Sequence, residues 1–376
     1  MGPSRPDLTH DDYTIACICP MGVELAAVEG MMDELHQNLP SSIDKNTYTF
    51  GRMGAHDIVV AVMPKAGNDR AAAVATQLSN DFRSIRFCLL IGIGGGIPDL
   101  ARDIDIRLGD VVVSRPSNRF GGVVQFDRGK VQSYNQFERT GMLQKPTDIL
   151  LSTVQRLEAL HARVDSRIPI FLEEMLTRFP KMRKRNYVYQ GATKDQMFRM
   201  EYEHIGGTDC GDCDSSQTVE REVRDNSTPM IHYGTIGSSN IVLRDSVKRE
   251  ILKADLDILC VEMEAAGLMS SFPCLVIRGI CDYANSHKNK AWQPYAAATA
   301  AGYAEELLSL IPPLKKPSND NVEVASFAPR QQAPAIRTPN MAKLIHGPVA
   351  GDLIAGSKLF IDGIYHDGRI GRWVYD

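Results

Sequence analysis

The chain has 376 residues, 43% hydrophobic and 23% charged, enough for one large α/β domain with a sizeable core plus an appendage, or for two ordinary domains. A formal net charge of −4 argues against a general binder of nucleic acid or of a membrane surface. No apolar run reaches the roughly 18 residues that would span a bilayer. The polar, acidic start MGPSRPDLTHDDY is unlike a signal or transit peptide, and most of the eight cysteines sit in apolar runs, as reduced thiols of a cytoplasmic protein do.

In chain order, YTIACICP (13–20) reads as a buried strand and ELAAVEGMMDELH as an amphipathic helix. YTFGRMG and HDIVVAVMP form a hairpin-like pair. DRAAAVATQLSNDF reads as a helix, and FCLLIGIGG and GDVVVSRP read as strands. The helix ILLSTVQRLEALHARV leads into residues 165–228, an insertion rich in charge and short of apolar periodicity. The alternation resumes with MIHYGTIGSSN, the helix SVKREILKA, and the strands DILCVEME and CLVIRGICDY. The helix QPYAAATAAGYAEELLSLI closes a domain of residues 12–312. Residues 313–340 have linker composition, and 341–376 alternate short β-prone runs with Gly and Asp-Gly turns. Within the insertion, TDCGDC places Cys210 and Cys213 in a polar loop after His204. Structural zinc takes four ligands and this stretch offers at most three clear ones, so a plain loop or a local redox-sensitive pair is expected ahead of a metal site.

The run LCVEMEAAGLMS (259–270) sets two carboxylates, Glu262 and Glu264, in apolar surroundings, where acids are usually paired, hydrogen-bonded or functional. Two further features stand at strand ends, where open α/β sheets place ligands. GIGGG (92–96) directly follows a strand, and RGICDYAN puts Asp282 where another strand emerges.

Taken in order, the glycine loop, LGDVVVS (108–114), VEMEA (261–265) and RGICD (278–282) resemble the nucleoside phosphorylase superfamily, the purine and uridine phosphorylases and related nucleosidases. The likeness covers about residues 12–312 apart from the insertion. It is nearest to fungal-type members joined to modules of innate-immunity-like receptors. It implies a three-layer fold with a central mixed twisted β-sheet flanked by helices, no cofactor, and a homo-oligomer.

Residue by residue, the resemblance gives Glu264 the ribose 2′- and 3′-hydroxyls and Met263 the face of the sugar. Glu262 would anchor the turn, and Arg278 would lie near the sugar or hold Glu264 in place. Gly94, Gly95 and Gly96 would let the ligand approach the backbone, and Asp282 would protonate the departing purine near N7. The N-terminal CPMGVELAAVEG lacks the phosphorylases' phosphate-holding arginine. It resembles adenosylhomocysteine-type nucleosidases, which makes Glu24 the activator of water. Asn240 and Val242 fall beside the base. Since the family often has an aromatic residue at the Val242 position, stacking is expected from Phe198 or Tyr202 instead.

KMRKR (181–185) makes Arg183, Lys184 and Arg185 candidate ligands for a 5′-phosphate. The expected activity is hydrolysis of purine nucleosides (adenosine, inosine) or of adenine nucleotides such as ATP to free base and ribose or its phosphate. A phosphate-dependent phosphorylase and a non-catalytic nucleoside-binding or signalling module are the alternatives. The tail GPVAGDLIAGSKLFIDG is similar in style to the amyloid-type motifs through which some fungal receptors engage signalling partners.

Overall fold

Five consecutive apolar residues suit a strand covered on both faces, and β1 (Ile15–Cys19) is buried at every position. The computed structural model describes residues 8–40, 46–132, 137–270 and 272–314. From β1 the chain enters α1 (Gly22–Met31), then β2 (Glu34–Leu35), β3 (Thr47–Met53), β4 (His56–Val62), α2 (Asn68–Asp81) and β5 (Phe87–Gly96). Next come β6 (Val111–Ser114), β7 (Val123–Gln125), β8 (Gly129–Val131), β9 (Phe137–Arg139), α3 (Asp148–His161) and α4 (Ile168–Arg178). The domain ends with β10 (Ile231–Ser238), α5 (Ser246–Leu256), β11 (Ile258–Glu262), α6 (Ala265–Met269), β12 (Cys274–Asp282) and α7 (Gln293–Ser309). Residues 315–376, which hold nearly all of the expected linker and the whole β-prone segment, lie outside the described residues.

The main sheet is mixed, in the order β11-β10-β6-β12-β5-β1-β4-β3-β2, with β7 beside β10. Strand β1 runs parallel to β4 and β5, and β12 runs parallel to β5, so these four send their carboxyl ends to one edge. β6 is antiparallel to β12, and β10 runs with β6 and β11. β11 then crosses back over the end of β5, placing Cys260 opposite Gly96 and Val261 opposite Gly95. The five strands β5, β12, β6, β10 and β11 therefore close on themselves, and the closure lays Glu262 against the carboxyl half of β5.

Two elements differ from the sequence reading. Helix α1 stops at Met31, and Glu34–Leu35 pairs with Arg52 and Gly51 of β3 instead of extending the helix. The insertion is not wholly polar: α4 buries Ile168, Phe171, Leu172, Met175 and Leu176, a helical stripe that joins the core alongside α1 and α7. The high charge of the flanking residues hid that period. The rest of the insertion is irregular and is tied down by ion pairs, Arg221 with Asp195 at 2.9 Å and Arg224 with Asp110 at 2.7 Å.

Candidate active site

Glu24 lies in the first turn of α1, just past the carboxyl end of β1, and is only 1% exposed. An acid at a helix start is ordinary, since it can accept orphan N–H groups there. One oxygen does this, accepting from Met21 N at 2.6 Å. The other reaches across to β5 and accepts from Ile93 N at 2.8 Å. That second bond needs Gly92, because a Cβ there would sit 2.5 Å from Glu24 Oε1. Burial pushes Glu24 up to about 8, against the pull of Arg278 and of the two N–H groups. Its proton affinity therefore suits proton exchange near neutral pH.

The paired acids of VEMEA divide their work. Glu262 ends β11 and accepts from Glu264 N at 3.0 Å and Ala265 N at 2.9 Å, so it fixes the turn into α6 as expected. Glu264 accepts from the Met263 backbone in the same turn and reaches further. Its carboxylate meets Arg278 Nη2 at 3.2 Å and accepts from the Gly67 backbone. Burial raises its pKa, and Arg278 opposes the rise. Arg278, fully buried on β12, donates to Glu262, to Glu264 and to the carbonyl of Ile93 at 3.3 Å. Of the two roles left open for Arg278, the contacts give it that of holding Glu264. One guanidinium thus faces three buried carboxylates, Glu24, Glu262 and Glu264, and their charges raise its pKa despite burial. Met263 is half-buried in the turn between Glu262 and Glu264.

Asp282 stands at the carboxyl end of the same strand, about 13 Å beyond the mid-strand Arg278 at the usual rise of a strand. A bulge between Ile280 and Asp282 shifts the pairing with β5 and re-aims the carboxylate. It accepts from Ala284 N at 3.0 Å and pairs with Lys288 Nζ at 3.0 Å. Lys288 is a residue the sequence reading missed, and its only signal is its position six residues past RGICD.

The segment after β10 connects the two groups. Asn240 accepts from Asn68 N at 3.0 Å, beside the Gly67 that serves Glu264, and Arg244 is close enough to oppose the charge on Lys288. Val242 between them is 46% exposed. Asn68 was also missed. Its Oδ1 accepts from Gly267 N at 2.8 Å and Ser238 Oγ at 3.2 Å, while its buried Nδ2 has no partner among the described residues.

Two expectations are corrected, and the basic run is located. GIGGG is not a loop after a strand but the last five residues of β5. The space above Gly92, Gly94 and Gly95 is taken by Glu24, Arg278 and Asp282 side chains, so these glycines admit the protein's own functional groups. Phe198 is buried and stacked on His287 at a ring distance of 4.0 Å, so it presents no free face to a base, and the half-buried Tyr202 stacks on the same histidine ring. The basic run forms a 3₁₀ turn (Pro180–Arg185) in which Arg183 pairs with Glu173 at 2.5 Å, an exposed pair of small energetic weight. Lys184 and Arg185 are exposed, and Tyr187 just after them donates to the carbonyl of Val23, next to Glu24.

A cavity of about 460 Å³ lies apart from these groups, lined by Arg107, Asp110, Tyr189, Asp195, Arg221 and Arg224. Its arginines are paired with Asp105, Asp110 and Asp195, and residues of the docked insertion form much of its wall.

Residues 14–309 match the family model described as the phosphorylase superfamily. The chain belongs to that superfamily. It is 40% identical over 82% of its length to a nucleotide-binding leucine-rich repeat (NLR)-like protein of Hyaloscypha variabilis, of which it spans 30%. It is 24% identical over 65% of its length to the ATP nucleosidase Cap17 of Escherichia coli, of which it spans 39%. The chain thus covers well under half of either of these relatives. Among solved structures, the futalosine hydrolase of Helicobacter pylori superposes with a TM-score of 0.52 at 15% identity, covering 81% of this chain and all of that one. That likeness bears out the expected fold.

Proposed function

We propose that the domain is an N-glycosyl hydrolase acting on purine nucleosides or adenine nucleotides. The observation that carries this reading is the buried Glu24, held between two backbone N–H groups beside the arginine-linked pair Glu262 and Glu264. In this mechanism Glu24 takes a proton from water as its oxygen attacks C1′. The C1′–N bond breaks, its electron pair leaves with the base, and the Asp282–Lys288 pair supplies the proton that the purine ring takes up, Asp282 passing it on from the Lys288 ammonium. Glu264 accepts hydrogen bonds from the ribose hydroxyls, a task for which two carboxylate oxygens are suited.

Water is favoured over phosphate as nucleophile by charge. A phosphate dianion beside Glu24 would meet three carboxylates, and Arg278, the guanidinium among them, is already engaged by two of those. The nucleotide branch rests on Lys184 and Arg185, exposed on the turn whose Tyr187 touches α1, and on the name of the Escherichia coli relative.

A panel of adenosine, inosine, guanosine, AMP and ATP in phosphate-free buffer tests the reading by release of free base. Adenosine or ATP is expected to yield adenine. If Lys184 and Arg185 hold a 5′-phosphate, replacing both with Gln should raise KM for AMP and ATP by about tenfold or more and spare adenosine. Base release that requires added phosphate would instead identify a phosphorylase.

A further inference from the structure

The loop TDCGDC serves no part of the hydrolytic reading, yet it folds into a compact donor set. His204, Cys210 and Cys213 each offer one ligand atom, and the three atoms lie within 4.8 Å of one another. Cys213 Sγ is 3.3 Å and Cys210 Sγ 3.9 Å from His204 Nδ1. Around a tetrahedral zinc, with Zn–S near 2.3 Å and Zn–N near 2.0–2.1 Å, the N···S edge is about 3.6 Å. The two observed distances bracket that edge.

A second observation is independent of the first. His287, 7% exposed, has both ring nitrogens buried with no hydrogen-bond partner among the described residues. Buried imidazole nitrogens normally find partners, and each unmet one is costly. The His287 ring stands 5.6 Å from that of His204, edge to face, and its own backbone carbonyl lies 3.8 Å from Cys210 Sγ. The sequence offered three ligands within ten residues; the fold adds a fourth candidate donor from the loop after β12.

We propose that His204, Cys210 and Cys213 bind one Zn²⁺, with the unpartnered His287 ring beside them as the candidate for the fourth position. Two thiolates and an imidazole suit zinc better than the oxygen-preferring divalent ions. Binding releases the two thiol protons to solvent, and the ion takes their place between the sulfurs. The site would be structural. His204 N already donates to Ser286 Oγ at 3.0 Å, so the metal would pin the insertion to the loop that carries Lys288, the partner of Asp282. The proposal does not depend on which nucleophile or substrate the hydrolytic site takes.

The test uses the full chain, purified under reducing conditions and analysed for metal by elemental mass spectrometry. Roughly one equivalent of zinc per chain is expected, with release of the ion to a chelator lowering the melting temperature. Cobalt added to the metal-free protein should give the intense visible bands of a tetrahedral thiolate site. Cys213→Ser and His204→Ala should each lose the metal, and either suffices if the other fails to fold. His287→Ala should bind zinc more weakly. Metal-free protein that takes up neither zinc nor cobalt at micromolar concentration would overturn the proposal. So would a Cys210–Cys213 disulfide persisting in the protein as isolated, or cobalt spectra unchanged in both ligand variants.

Discussion

Glu24→Gln is expected to lose about 10²–10⁴-fold in kcat while retaining substrate affinity close to that of the unaltered protein. The amide keeps the shape of the side chain but cannot take a proton from water. In the unaltered protein the ionised form of Glu24 is the working one. Burial holds its pKa near 8, so kcat/KM should rise about tenfold per pH unit below that point and level off above it. The variant should lose this limb of the profile. Near-normal turnover in Glu24→Gln, or a flat profile across pH 6–9 in the unaltered protein, would remove Glu24 from the role of base.

Arg278→Met should be the most destabilising single change in the site. Arg278 is the cation that contacts Glu262 and Glu264 directly and attracts Glu24, all of them buried. Removing one partner from such a cluster costs about 3–5 kcal/mol, because uncompensated charge stays in the interior. Denaturant titration at pH 8 should show that loss. The penalty should shrink on acidification, since Glu24 and Glu264 both have raised pKa values and take up protons as the pH falls. Arg278→Lys should recover only part of the stability, because an ammonium cannot hold two carboxylates and the Ile93 carbonyl in one planar fork. A Met variant as stable as the parent at pH 8 would show that the cluster is not balanced by this residue.

Much of the centre could be read from local sequence. VEMEA and RGICD sit at strand ends, and the acids within them are buried where a carboxylate must have partners. The division between Glu262 and Glu264 follows from turn geometry, since the first acid is placed to accept the N–H groups opening α6. The crossing of β11 over Gly95 and Gly96 was not legible, because a pairing between strands so far apart in the chain leaves no mark in either segment alone. The occupancy of the glycine run by Glu24, Arg278 and Asp282 depends on that crossing and on the bulge in β12. Helix α4 was legible and was overlooked: Ile168, Phe171, Leu172, Met175 and Leu176 keep a helical period inside a charged stretch. Lys288 and His287 carry no local signature. Only the fold of the loop after β12 brings them to Asp282 and to the cysteine pair.

The central claim is that a buried carboxylate delivers water, and not phosphate, to the anomeric carbon. Conversion of adenosine with and without phosphate, its sugar product identified by mass spectrometry, reads this directly. Free ribose, in an amount unaffected by phosphate, is the predicted result. Ribose 1-phosphate as the product, formed only when phosphate is supplied, would contradict it.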